Sequence, residues 1–229
     1  YVYDRNPNYV PREEPASGLS GAKIANFERV ILVNMPDAQT AIAALQAGEI
    51  DFYEIPPIDF LPVLESDSNL KVADIMKSGT EGSIILNWLQ PPFDNLKVRQ
   101  AMLYAIDQEA VLKGLFGDPN WFNAHPSWFT YGSPLYNEAN SEWFRIAPDP
   151  EKAKQLLAEG GYDGTPVVLL QATDRQVNAD AVTIIAQQMR AAGFNVQIDA
   201  IDWATLLQRR PNKGPVSEGG WNAFVSTFN

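Results

Sequence analysis

VVLLQATDRQVNADAVTIIAQQMRAAGFNVQIDAI, residues 167–201, decides the fold class of this chain. Val167 to Ala172 reads as a short apolar strand. Val177 to Ala192 then places Ala181, Ile184, Ile185 and Met189 on one helical face, Gly193 stops the helix, and Phe194 to Ile201 reads as a second strand. A strand, a helix and a strand in this order form a βαβ unit, whose connection crosses one face of a sheet. The expectation is an α/β domain.

The same alternation continues on both sides. Downstream lie a helical stretch from Trp203 to Arg210, a Pro-Gly loop and a strand-like Trp221 to Phe228. Upstream, Asp149 starts a helix through Ala153, Leu156 and Leu157 that ends at Gly160-Gly161. Residues 117–148 carry Trp121, Phe122, Trp128, Phe129, Tyr131, Tyr136, Trp143 and Phe144 with no helical or strand period, a loop too long to be a mere connection. Before it, Asp94 is an N-cap candidate for the longest amphipathic helix of the chain, with Val98, Ala101, Met102, Ala105, Leu112 and Phe116 on its face and Gly114 and Gly117 at its end. Strands are expected at Ser83–Leu89, Leu70–Ile75, Ile50–Tyr53 and Phe27–Val33. A short helix is expected around Phe60, Leu61 and Leu64, and another from the Asp37 cap to Gly48. Residues 1–26, rich in Pro, Gly, Asn and Ser, read as irregular.

Composition narrows the function. With 229 residues, 45% hydrophobic and 20% charged, the chain has the apolar material for a core and lacks the make-up of a disordered segment. No apolar run approaches the roughly 18 residues of a membrane-spanning helix. A net charge of −11, from 28 acidic against 17 basic residues, argues against nucleic acid as a partner. Without cysteine there are no disulfides, thiolate metal sites or thiol nucleophiles, and the single histidine, His125, makes multi-histidine zinc chemistry improbable. No cofactor is expected. The chain opens at Tyr1 without Met or a signal segment and stops at Asn229 after a strand-like stretch, so it reads as an internal piece of a longer protein.

Five motifs then carry a family: VYDRNPNYV (2–10), PDAQTAIAALQAGEIDF (36–52), PPFDNLKVRQAMLYAIDQEAV (91–111), DPEKAKQLLAEGGYDG (149–164) and GGW (219–221). In this order and spacing the chain resembles the second lobe of the extracytoplasmic solute-binding proteins of peptide- and nickel-type ABC transporters, family 5. The resemblance implies a mixed β-sheet with flanking helices, one lobe of a type II two-lobed periplasmic-binding-protein fold. Residues 1–26 would then be a lead-in from the hinge side, 27–220 the ligand-binding lobe including the aromatic loop, and 221–229 a strand returning toward the missing N-terminal lobe. It further implies a non-enzymatic role: capture of a peptide-like or other small organic solute between two lobes, and delivery to ABC permease subunits of the inner membrane. The location implied is periplasmic or extracytoplasmic, with a lipid anchor on the full-length protein left open. An oligosaccharide, an opine or a metal chelate stands as the alternative ligand.

The resemblance places ligand-facing positions in three stretches. Ser83, Ile85 and Asn87 form one row of a strand; peptide-binding relatives can carry an acid where Ile85 stands, and the plain reading is a core strand. Trp203 and Arg210 follow the Phe194–Ile201 strand, where an aromatic and an arginine would meet ligand side chains or a carboxylate; ordinary packing and a solvated charge are the plain readings. Trp221, Asn222 and Phe224 follow the paired glycines 219 and 220, and Phe224 stands where peptide binders hold the ligand ammonium with an Asp. Two missing acids weaken a peptide reading, and Trp203, Trp221 and Phe224, with Trp88 or Trp128, suggest an aromatic pocket. His125 reads as a loop residue without acidic neighbours. A carboxylate hydrolase, using Asp51, Glu54, Asp59 or the Asp199–Asp202 pair, is the competing class; surface solvation is the plainer account of those acids. An interaction domain built on the aromatic loop would fail if that loop packs on its own sheet.

Overall fold

The computed structural model describes residues 1–17, 20–75, 79–142 and 148–228. It divides into two compact units, residues 1–73 and 74–229, and the expected lobe of residues 27–220 crosses that boundary.

In the first unit, β1 (Val2–Asp4) pairs antiparallel with β2 (Arg29–Ile31), so the stretch expected to be irregular contributes a strand. Arg29 Nε, 2.6 Å from Asp4 Oδ1, closes the pair. Helix α1 (Ala38–Ala47) starts and stops as expected: the Asp37 carboxylate accepts from Thr40 N at 2.8 Å, and Gly48 takes a φ of +73° that a side chain would oppose. Its Ile42 meets Leu61 and Leu64 of α2 (Leu61–Ser66) in a small core. Ile50–Tyr53 and Leu70–Ile75 do not form strands. Apolar alternation makes a strand only where a partner strand completes the ladder.

The second unit is built on a four-stranded sheet made of β3 (Glu81–Leu86), β4 (Val167–Ala172), β5 (Val196–Ile201) and β6 (Ala223–Phe228). Their order is β3-β6-β4-β5; β6, β4 and β5 run parallel and β3 is antiparallel to β6. The βαβ unit is as expected, with α6 (Gln176–Ala191) crossing between β4 and β5.

One face of the sheet carries Val167, Leu169, Ala223 and Val225, buried under α3 (Leu96–Ala105), α4 (Gln108–Phe116), α5 (Pro150–Glu159) and α6. The long helix expected across 98–116 is two helices. Ile106 is extended, and the Asp107 carboxylate accepts from Ala110 N at 2.9 Å, which caps a new helix. Asn95 rather than Asp94 caps α3, accepting from Lys97 N at 2.8 Å, and α6 is longer than either. Gly114 sits inside α4 rather than at its end; a Cβ there would lie 2.8 Å from Ile184 Cδ1, so it lets α4 and α6 approach.

The opposite face carries Val168, Leu170, Ala172 and Phe224 and is covered by α7 (Trp203–Arg209) through Leu206, together with Trp221. Trp143 and Phe144 of the aromatic loop lie outside the described residues.

Candidate ligand-binding site

Because β6, β4 and β5 are parallel, their carboxyl ends share one edge of the sheet, and the antiparallel β3 brings its first residue, Glu81, to that edge opposite Phe228. Ligands of open α/β sheets sit outside the carboxyl ends of strands, where loops present polar groups to a crevice.

After β4 come Thr173, Asp174 and Arg175, and after β5 come Asp202 and Trp203. The Asp174 carboxylate accepts from Trp203 N at 2.7 Å, and Thr173 N donates to Ile201 O at 2.9 Å, so the two loops hold one another. Asp202 caps α7, accepting from Thr205 N at 2.9 Å and Thr205 Oγ1 at 2.6 Å, and the hydroxyl bond first, then the amide, holds its carboxyl below the usual range. Both acids are thus committed to the scaffold. Arg175 is exposed, its guanidinium carbon 5.6 Å from the Trp203 ring centroid, and no carboxylate pairs with it among the described residues. The pair offers an apolar face and a cation at the same edge.

The residues singled out in the sequence do not form one group. Trp203 is at the carboxyl edge. Ser83 and Ile85 lie along the α7 face, in register with Ser226 and Phe224, and Phe224 is 1% exposed between Leu170 and Leu206. Trp221, Asn222 and Asn87 are at the opposite, amino edge. The Trp221 ring packs on Phe224 at 4.9 Å and its Nε1 donates to Arg210 O at 3.1 Å. Asn222 is buried, accepting from Val168 N and donating to Pro91 O, both at 2.8 Å. Asn87 donates to Trp221 O at 2.9 Å and accepts from Leu89 N at 3.1 Å. Arg210 is exposed beyond the end of α7, and its neighbour Arg209 instead pairs with Asp199 and donates to the carbonyls of Gly219 and Gly220. The arginine beside Trp203 is therefore Arg175, which the sequence reading missed. Its signal was present: Asp-Arg between a strand and the helix that crosses over it.

His125 also differs from expectation. Its Nε2 lies 3.2 Å from Glu81 Oε2, its Nδ1 accepts from Ser127 N at 3.3 Å, and only 8% of its side chain is exposed. Tyr136 meets its ring edge-on at 5.6 Å and Tyr131 meets Tyr136 at 5.3 Å. The aromatic loop is thus tied to β3 at the carboxyl edge through His125, while Trp128 and Tyr131 stay exposed.

Burial, above all, pushes the Glu81 carboxyl above its ordinary value, against the pull of His125. A raised folded value gives stability that is full below the ordinary value of 4.5 and lost as pH rises through the folded one. At neutral pH the Glu81 charge therefore costs the fold. Glu81→Gln keeps the acceptor for His125 and is expected to match or exceed the native Tm at pH 7.5, with the difference vanishing near pH 4; a lower Tm at pH 7.5 contradicts this reading.

Among the described residues no His, Cys, Asp and Glu cluster could hold a metal, and no helix is long and apolar enough to cross a membrane. An open hollow of about 290 Å³ lined by Arg5, Asn6, Tyr9 and Ile24 belongs to the first unit.

A mixed sheet with flanking helices, its parallel strands opening onto polar loops at one edge, is one lobe of the type II periplasmic-binding-protein fold. The sequence model of the bacterial extracellular solute-binding proteins, family 5 Middle, matches residues 1–228, and the chain belongs to that family. It is 43% identical over 228 residues to a probable peptide ABC transporter periplasmic-binding protein of Sinorhizobium fredii, covering 99% of this chain and 43% of that one. Among solved structures, the oligopeptide-binding protein AppA of Bacillus subtilis in complex with a nonapeptide is 26% identical, with a TM-score of 0.65 over 85% of this chain and 39% of that one. The periplasmic binding protein DppA of Helicobacter pylori, in complex with the peptide STSA, shares the fold at 22% identity, with a TM-score of 0.75 over 99% of this chain and 40% of that one. The chain spans less than half the length of each.

Proposed function

We propose that the whole protein is the solute-binding component of an ABC importer, which captures a peptide-like solute in a cleft between two lobes and delivers it to the membrane permease. Its place would be the periplasm, as the name of the Sinorhizobium relative says of that protein. The role is binding without chemistry: at the carboxyl edge both acids after β4 and β5 hold backbone amides rather than facing a reaction centre. The binding lobe is assigned to residues 81–228, with the sheet as its frame, and the missing lobe would close over it, expelling water from the contacts.

The observation that carries the reading is the Arg175–Trp203 pair at the carboxyl edge, where a carboxylate and an apolar side chain of one ligand can be met together. The test is calorimetry of the full-length protein with unblocked alanine peptides of two to five residues. Binding with a micromolar or tighter Kd and no cleavage supports the proposal. A second reading, an acidic non-peptide solute such as an opine, is favoured by one observation: Ile85 and Phe224, where peptide binders would place acids, are packed under α7. Binding of an opine with no response to any peptide would select it.

A further inference from the structure

From Pro119 to Asn137 the chain carries no Asp, Glu, Lys or Arg, in a protein whose residues are 20% charged. The stretch is nonetheless held in one shape. His125 is buried and ties it to Glu81 at the carboxyl edge of the sheet. Ser127 Oγ accepts from Phe129 N at 3.1 Å, Ser133 N donates to Thr130 O at 3.0 Å, and Tyr136 N donates to Ser133 O at 3.0 Å. The Tyr136 ring packs on the imidazole and against Tyr131. This framework turns large apolar side chains outward: Trp128 is 73%, Leu135 61% and Tyr131 58% exposed. Apolar surface that an ordered framework holds in water marks a contact that another state of the molecule covers.

We propose that Trp128, Tyr131 and Leu135 form a latch, exposed in the open protein and covered, when solute closes the two lobes, by the part of the full-length protein outside residues 1–229. The inference rests on the solute-binding reading and deepens it by assigning a surface that holds the closed state together without touching the solute.

Three observations select this occupant. The latch begins three residues after His125, whose anchor Glu81 lies on the edge over which the second lobe closes in the solute-binding reading. The chain covers 43% of the Sinorhizobium relative and 40% of the Helicobacter structure, so on that reading more than half of the whole protein is on hand to cover it. The patch also lacks charge. Freely diffusing partners are drawn in by complementary charge, whereas another part of the same chain arrives at high effective concentration and needs only apolar complementarity. Trp and Tyr are the residues that carry most of the energy of such contacts. Because the latch meets protein and not solute, it biases closure by a factor that is the same for every solute.

The test is photo-crosslinking of the full-length protein carrying p-benzoylphenylalanine at position 128, irradiated with and without tetra-alanine and mapped by mass spectrometry. The expected product is a link within the same chain to a residue outside 1–229, with a yield that solute raises about tenfold. A link to the peptide or to residues 1–229, or a yield indifferent to solute, overturns the latch while leaving the solute-binding reading intact. In calorimetry, Trp128→Ser is expected to weaken di-alanine and tetra-alanine by one common factor, about tenfold, with the Tm of the solute-free protein unchanged. Unaltered affinity overturns the latch. So does a loss confined to tetra-alanine, which would make Trp128 a solute contact. Binding of neither peptide by the native protein overturns the solute-binding reading and the latch together.

Discussion

Asn222→Ala is expected to loosen the junction between β4 and β6 by about 3 kcal/mol, because one side chain satisfies backbone groups from two separate segments. Its Oδ1 accepts from Val168 N and its Nδ2 donates to Pro91 O, while its backbone carbonyl accepts from Asn87 N at 2.8 Å. The residue is 1% exposed, so water does not replace the lost amide. Each buried group left without a partner costs about 1–3 kcal/mol. At 1.4 kcal/mol per factor of ten, the amides of β4 and β6 should exchange with solvent on the order of a hundredfold faster in the full-length variant. Exchange within threefold of the native rate would mean that the side chain has no structural role and is available to a ligand.

Gly220→Ala is expected to cost about 2–3 kcal/mol by a different route. An added Cβ would lie 2.1 Å from Gly214 O and 2.7 Å from Pro215 O, both backbone atoms. The segment has little freedom to move away: Gly220 N donates to Pro215 O at 2.9 Å, Arg209 holds the Gly220 carbonyl at 2.6 Å, and Gly219 sits at a φ of +81°. Overpacking against rigid neighbours costs about 1–3 kcal/mol even where side chains can shift. Gly82→Ala is the control, since nothing lies within 4 Å of a Cβ there. Unfolding of the full-length protein should show the loss for Gly220→Ala and a change within about 0.5 kcal/mol for Gly82→Ala; equal behaviour of the two would contradict the close-packed turn.

Local signals carried most of the fold. Asp37, Asp149 and Gly48 mark helix ends through bonds to residues three or four positions away, and the apolar runs of β4 and α6 follow from periodicity alone. The errors arose where distant partners decide. Ile50–Tyr53 and Leu70–Ile75 have strand-like composition but no ladder, and the 98–116 run hides a break at Ile106, because the Asp107 cap interrupts a face that stays apolar on both sides.

The site was less legible for the same reason. Trp203 follows a recognisable strand, which makes its place at the carboxyl edge of the sheet legible. Trp221, Asn222 and Phe224 were tied to it by motif, yet parallel pairing of β6 with β4 sends them to the amino edge and the sheet interior. The His125–Glu81 pair joins residues 44 positions apart through the register of β3, which no spacing in the sequence announces. Arg175 was overlooked because its meaning comes from the Asp174 bond that sets Trp203 beside it.

That opposition of edges makes the central claim testable in one measurement: tryptophan fluorescence of the full-length protein titrated with tetra-alanine, in native, Trp203→Phe and Trp221→Phe forms. If the solute is captured at the carboxyl edge, the native change should persist in Trp221→Phe with an unaltered Kd, and be lost or weakened at least tenfold in Trp203→Phe. A response that survives in Trp203→Phe and disappears in Trp221→Phe would place the solute at the amino edge and contradict the account.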